Sequence, residues 1–209
     1  MLRDRFRIVP CLVLGAILMI GGCGDPDDEA RAPGLTGGWS TAGCELARQP
    51  ESIMVGTVSM PATPAALDAA IARIDQGGRG DFQDSYAGLE VDQQLVRAVV
   101  YRVPSARFDD FIRQAAENAC IIVRDAAHSV ADLGVWHDRV LADLAFWTAR
   151  GIRIATIGAR HDGAGVEIGT QDLDRARLEL PARYGSRAPL VFVEQGPVIP
   201  LGAPAVPAG

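Results

Sequence analysis

Side chains that could do chemistry are sparse in this 209-residue chain, and their spacing forms no catalytic motif. The three histidines, His128, His137 and His161, have no mutual spacing typical of metal ligands. The sequence has no Lys, which excludes Schiff-base lysines and a P-loop phosphate site. The patterns Gly-x-Ser-x-Gly, His-Glu-x-x-His and Cys-x-x-Cys are also absent. We therefore predict no catalytic residue, no metal site and no cofactor, and we interpret each histidine as a surface or helix-end residue.

Two tryptophans are the candidate ligand-binding residues. Trp136 and Trp147 are 11 residues apart, about three helical turns, so they share one face of a predicted long helix. The two rings could pack in the core, or they could line a ligand groove between helix and sheet, and the sequence does not distinguish these roles. A small-molecule carrier therefore remains an alternative function. A pocket that gathered His137 or His161 with carboxylates would instead indicate a hydrolase with a dispersed site.

The N-terminus carries the pattern of an export signal. Arg3, Arg5 and Arg7 precede an apolar run over residues 8–20, too short to span a bilayer as a helix. The sequence that follows, Ile20-Gly21-Gly22-Cys23, resembles the lipobox of bacterial lipoproteins. The resemblance implies removal of residues 1–22, a diacylglycerol group on the thiol of Cys23 and attachment to the extracytoplasmic face of a cell membrane. A plain signal peptide cut nearby is the alternative.

Charge narrows the choice of partners. The chain has a formal charge of -6, and removing residues 1–22 takes away three Arg and one Asp and leaves -8. A protein that binds a polyanion needs a basic surface, and this negatively charged chain does not supply one, so nucleic acid is excluded as a partner.

The remaining cysteines form one pair. Cys11 lies in the predicted signal and Cys23 takes lipid, which leaves Cys44 and Cys120 in an oxidising compartment. A disulfide between them would fix the N-terminal segment to the folded region. Two free thiols are the alternative.

Hydrophobic periodicity predicts an α+β fold. Residues 23–43 are rich in Gly and acidic side chains, a composition that predicts a flexible tether. We expect one folded domain over residues 44–196 and a Pro-rich tail over residues 197–209. We expect an N-terminal β-α element, with a strand over 52–60 and a helix that Gly77-Gly78 ends. Two β-β-α-β units then follow at about 86–124 and 152–194, joined by a long helix that a capping box at Ser129 and Asp132 begins.

The predicted order of strands and helices, together with three sequence segments, is similar to that of a known protein family. The segments YAGLEVD and LVRAVVYRV in the first unit, with GVEIGTQDLDRARLELPARYG in the second, resemble the pro-domains of secreted serine proteases of the alpha-lytic protease and streptogrisin type. The resemblance covers residues 82–195 and implies binding to a secreted protease, as an inhibitor or folding chaperone. We therefore expect a non-enzymatic, membrane-anchored lipoprotein that binds a protein partner.

Overall fold

A computed structural model describes residues 37–196. In this range the chain forms nine strands and five helices, which confirms the α+β class. The strands are β1 (Gly38–Ser40), β2 (Glu51–Val55), β3 (Val58–Ala62), β4 (Tyr86–Asp92), β5 (Arg97–Arg102), β6 (Ile121–Asp125), β7 (Ile154–Ala159), β8 (Val166–Thr170) and β9 (Leu190–Glu194). The helices are α1 (Ala65–Arg79), α2 (Ala106–Ala116), α3 (Val130–Ala142), α4 (Leu144–Ala149) and α5 (Leu173–Tyr184).

The two predicted β-β-α-β units are present and share one topology. In each unit the first two strands are antiparallel, and the third strand returns parallel to the second: β4-β5-α2-β6 and β7-β8-α5-β9. Each unit also has an irregular register near the start of its first strand, at Tyr86/Gly88 and at Ile154/Thr156. The difference between the units is β1, which adds antiparallel to the free edge of β6.

Each unit has its own apolar core. Helices α1 and α2 cover the first sheet, and the largest fully buried side chains there are Leu67, Ile74, Tyr86, Phe108, Ile112 and Ile121. Helices α3, α4 and α5 provide the second core together with β7 to β9, and its largest fully buried side chains are Leu133, Trp147, Ile152, Ile168 and Leu180.

The prediction that Gly77-Gly78 ends the first helix is wrong, because α1 continues to Arg79. A Cβ at Gly77 would lie 2.4 Å from the ring of Phe111, and one at Gly78 would lie 2.5 Å from the ring of Tyr86. These glycines let α1 approach two aromatic rings. Packing therefore outweighs their intrinsic cost in a helix, which is about 1 kcal/mol each.

The predicted long helix is interrupted. Its capping box is present, with the Ser129 hydroxyl accepting from the Asp132 amide and the Asp132 carboxylate accepting from the Ser129 amide. At Asp143 the backbone leaves helical geometry, so α3 and α4 are separate helices. The Asp143 carboxylate accepts hydrogen bonds from Arg183 and Tyr184 of α5, which fixes the break against the neighbouring helix.

Two predictions for the N-terminal part of the described chain are also wrong. The segment predicted as one strand over 52–60 is a hairpin, in which β2 and β3 are joined at Gly56 and Thr57 and Gly56 has a positive φ of 63°. The folded region begins earlier than the predicted Cys44, because β1 lies within the segment predicted to be tether. The predicted signal, the lipobox at Cys23 and the tail 197–209 fall outside the described residues.

Candidate functional site

The disulfide fixes the N-terminal arm to the first sheet. Cys44 and Cys120 are bridged across 76 residues, so the structure contains the predicted bond and not two free thiols. The Thr41 hydroxyl adds to this attachment by donating to the carbonyl of Ala119 at 2.7 Å and accepting from the amide of Ile121 at 3.0 Å. A disulfide is typical of proteins that fold outside the reducing cytoplasm.

The three histidines do not come together. The backbone amide of His128 donates to the carbonyl of Gly163, and the ring of His137 pairs with its exposed neighbour Asp138. His161 lies at a concave surface. Among residues 37–196, no group of three or more His, Cys, Asp or Glu side chains could hold a metal ion.

His161 borders a groove of about 330 Å³ between α1 and β4. Asp68 and Asp75 line one side of it, and the apolar side chains of Ile71 and Leu89 form part of its wall. The structure therefore brings one predicted histidine close to carboxylates. Sequence reasoning did not single out Asp68 or Asp75.

The carboxylate of Asp75 is fully engaged by its neighbours. Tyr86 donates its hydroxyl to Asp75 at 2.6 Å, and Arg79 donates Nε to both carboxylate oxygens at 3.0 and 2.9 Å. Partial burial opposes ionisation, but the hydrogen bonds from Tyr86 and Arg79 prevail and lower the pKa of Asp75. Burial, and then the bond to Asp75, raises the pKa of Tyr86 far above its ordinary value. Asp75 therefore acts as an ionised acceptor that ties α1 to β4.

A second polar cluster joins the two units. The Tyr101 hydroxyl donates to Glu90 at 2.9 Å, and Nε2 of His161 lies 3.4 Å from the other oxygen of Glu90. Burial, followed by the hydrogen bond to Glu90, raises the pKa of Tyr101 to about 12. Gly88, at a φ of 155°, allows the approach, since a Cβ there would lie 2.3 Å from the carbonyl oxygen of His161. The cluster thus holds the β7–β8 turn on the first unit.

Trp147 belongs to the core. It is 1% exposed, and its Nε1 donates to the Tyr184 hydroxyl at 2.8 Å. Tyr184 donates in turn to Asp143 at 2.9 Å. Trp136 is half-buried against the same core, with the guanidinium of Arg139 5.2 Å from its ring. The fully buried ring of Trp147 has no surface to offer a ligand.

The second sheet ends in a strand with an open edge. Its order is β7-β8-β9, and in the described part of the chain nothing pairs with the outer side of β9. Pro189 accepts from Val166, and Gln195 donates to Thr170, so alternate residues of β9 face β8. The amides of Phe192 and Glu194 therefore point outward. Leu190, Val191, Phe192 and Val193 are half-buried and carry no charge that would protect the edge.

The β2–β3 hairpin carries an uncovered apolar face. Alternation places Ile53 and Val55 of β2 beside Met60 and Val58 of β3, and these four side chains are 48 to 60% exposed. Of the ten residues in the two strands, nine are exposed and only Ala62 is half-buried.

No protein-family model, curated protein or solved structure matches this chain. Among the described residues, no helix is both long and apolar enough to cross a membrane.

Proposed function

We propose that this protein is a lipid-anchored, extracytoplasmic module that binds another protein by adding one of that protein's strands to the open edge of β9. The observation that supports the proposal is the contrast between the two units. The free edge of β6 is covered by β1, whereas the equivalent edge of β9 has no strand beside it in the described residues. Because the units share one topology, β1 on β6 illustrates the kind of segment that fits β9, a short antiparallel strand.

The chemistry of β9 favours this mode of binding. An added strand takes its affinity from backbone hydrogen bonds, and the outward amides of Phe192 and Glu194 can donate such bonds. Native proteins usually protect exposed edges with charge, Pro or a covering segment. Apart from Glu194 at its C-terminal end, β9 has no charged residue and no Pro, so its edge suits a binding surface.

The proposed location follows from two features at the N-terminal side. The lipobox resemblance at Cys23 implies an acylated N-terminus, and the Cys44–Cys120 disulfide fits an oxidising compartment. The resemblance of residues 82–195 to protease pro-domains makes a secreted serine protease the most specific candidate partner, bound as an inhibitor or chaperone would bind.

Strand addition can be tested with one matched pair of variants. Glu194→Pro removes an outward amide without removing a bond to β8, and Glu194→Ala keeps that amide while removing the same side chain. We expect Glu194→Pro to weaken binding about tenfold, since a lost hydrogen bond costs roughly 1 kcal/mol and the ring also obstructs the added strand. Glu194→Ala should bind like the wild type.

The readout is inhibition and capture of secreted proteases from the same organism. If no protease is slowed or bound, the protease version of the proposal fails. If a partner is captured equally by both variants, binding does not use the β9 edge. An intact Met1, or a mature chain without acyl mass in mass spectrometry, would contradict the anchor.

A hydrolase is the second candidate function, because the structure gathers His161 with carboxylates. Glu90 could orient the ring of His161, and His161 would then be the base that activates a water molecule. None of the side chains lining the groove is a Ser, Thr or Cys nucleophile. Ester or peptide hydrolysis that His161→Ala abolishes and His137→Ala leaves intact would favour this candidate over the binding module.

A further inference from the structure

We infer that the apolar face of the β2–β3 hairpin rests on the membrane that carries the lipid anchor, so that the domain makes a second contact with the bilayer surface. This inference depends on the anchor at Cys23 that is part of the proposed function. The face consists of Ile53, Val55, Val58 and Met60, and we call it the hairpin face.

The composition of the hairpin suits lipid better than a protein partner. From Ser52 to Leu67 the chain has no charged residue, so this segment offers a protein no ion pair that could orient it. Glu51 shares the hairpin face at the end next to the domain, where lipid headgroups would meet it. The opposite face carries Ser52 and Ser59 together with Met54 and Pro61, so it is the more polar of the two. This asymmetry gives the hairpin one continuous apolar face, as in elements that lie in the plane of a membrane interface.

The size of the hairpin face also argues against a protein as its occupant. Four side chains that are each about half exposed present roughly 200 to 400 Å². A stable protein interface needs about 800 Å² from each partner. A second copy of the chain, packed face to face, would therefore bury too little surface to hold a dimer. A bilayer interface has no such minimum, because each apolar side chain partitions individually.

The anchor keeps the membrane within reach. Thirteen residues separate Cys23 from Gly37, and even a fully extended segment of that length spans at most about 45 Å. A folded region of 160 residues has a radius of gyration of about 15 Å, so the domain stays within about its own diameter of the lipid. The bilayer is thereby present at high effective concentration.

The hairpin must lie flat on the bilayer. In the described residues the outer edges of β2 and β3 are unpaired, and unpaired backbone groups are not tolerated in hydrocarbon. Resting on the hairpin face keeps both edges at the level of headgroups and water. In this orientation Met60 faces the lipid, while Met54, on the opposite face, stays in water.

The rates of methionine oxidation can show which face of the hairpin contacts the lipid, and the measurement needs no added label. Met54 and Met60 are the only methionines after Cys23, and they are 65% and 48% exposed. The lipidated protein is reconstituted into phosphatidylcholine vesicles, treated with a membrane-impermeant oxidant and analysed by mass spectrometry at each site. We expect Met60 to be oxidised about fivefold more slowly than Met54.

Three variants complete the experiment. Val55→Asp should lift the hairpin face from the lipid and bring the two oxidation rates within about twofold. The double variant Val55→Thr/Val58→Thr keeps β-branched side chains, so it preserves the strands and should have a smaller effect in the same direction. Ser59→Asp places the same charge on the opposite face and should leave Met60 protected.

The possible failures are distinguishable. If the protein does not float with the vesicles, the anchor is absent and the inference fails with it. If it floats but Met54 and Met60 oxidise alike in the wild type, the anchor stands and the hairpin does not contact lipid. Protection of Met60 only after secreted proteins are added would assign the hairpin face to a protein and overturn the inference.

Discussion

Removing the Cys44–Cys120 disulfide should destabilise the folded region strongly, because the bond closes a long loop. The loop spans 76 residues, and on the chain-entropy model its closure is worth about 4.5 kcal/mol at 25 °C. The Cys44→Ala/Cys120→Ala variant removes both sulfurs and leaves no free thiol at either position. With a urea m-value of about 2 kcal/mol/M, its unfolding midpoint should fall by roughly 2 M.

The assay is urea unfolding followed by tryptophan fluorescence, to which the core residue Trp147 contributes, and by far-UV circular dichroism. Thr41→Val is the matched control, since it removes the hydroxyl bonds of the same arm but leaves the loop closed. This variant should lose about 1 to 3 kcal/mol. A loss below about 1 kcal/mol in the double alanine variant, at an unchanged m-value, would refute loop closure as the source of stability.

Three further predictions concern packing, charge and pH, and five variants test them. Gly78→Ala should destabilise the protein by about 1 to 3 kcal/mol in urea unfolding, because the new methyl group would lie 2.5 Å from the ring of Tyr86. Gly134→Ala in α3 is the control, since its methyl group would meet nothing within 4 Å and should stabilise the protein by about 0.5 to 1 kcal/mol. Arg102→Met removes a buried guanidinium from two half-buried carboxylates, Asp109 and Asp125, and should cost about 3 to 5 kcal/mol in the same assay. Arg113→Met breaks an exposed pair and should cost less than about 1 kcal/mol. The folded-state pKa of Asp75 is lowered, so its contribution to stability is present above the unfolded value of about 3.9 and is lost as pH falls through the folded value. Asp75→Asn should therefore flatten the decline in unfolding free energy below about pH 4, and an acid titration as steep as that of the wild type would contradict this assignment.

The two β-β-α-β units could be predicted from the sequence because their signals are local. Alternating apolar residues mark the strands, and the capping box at Ser129 marks the start of α3. The end of α1 could not be predicted in this way. Glycines normally stop a helix, and only the rings of Phe111 and Tyr86, which come from other elements, reverse that preference.

The polar clusters differ in how far they could have been foreseen. Glu90 and Tyr101 are diagonal neighbours on one face of the β4–β5 pair, so the hairpin register alone would have brought them together. His161 reaches Glu90 only through contact between the two units, for which the sequence has no local signal. Asp75 and Tyr86 belong to different elements, a helix and a strand, and no periodicity links them.

The disulfide also determines how mechanical tension would travel through the molecule. A pull on the chain from the N-terminal side reaches Cys44 and crosses the covalent bridge to Cys120. Residues 45–119 include the hairpin, α1, β4, β5 and α2, and the bridge leaves them outside the covalent path of the force. If the proposed anchor were strained against a bound partner, tension along the backbone would pass through β1, β6 and the second unit, and it would bypass the segments that carry the groove residues Asp68 and Asp75.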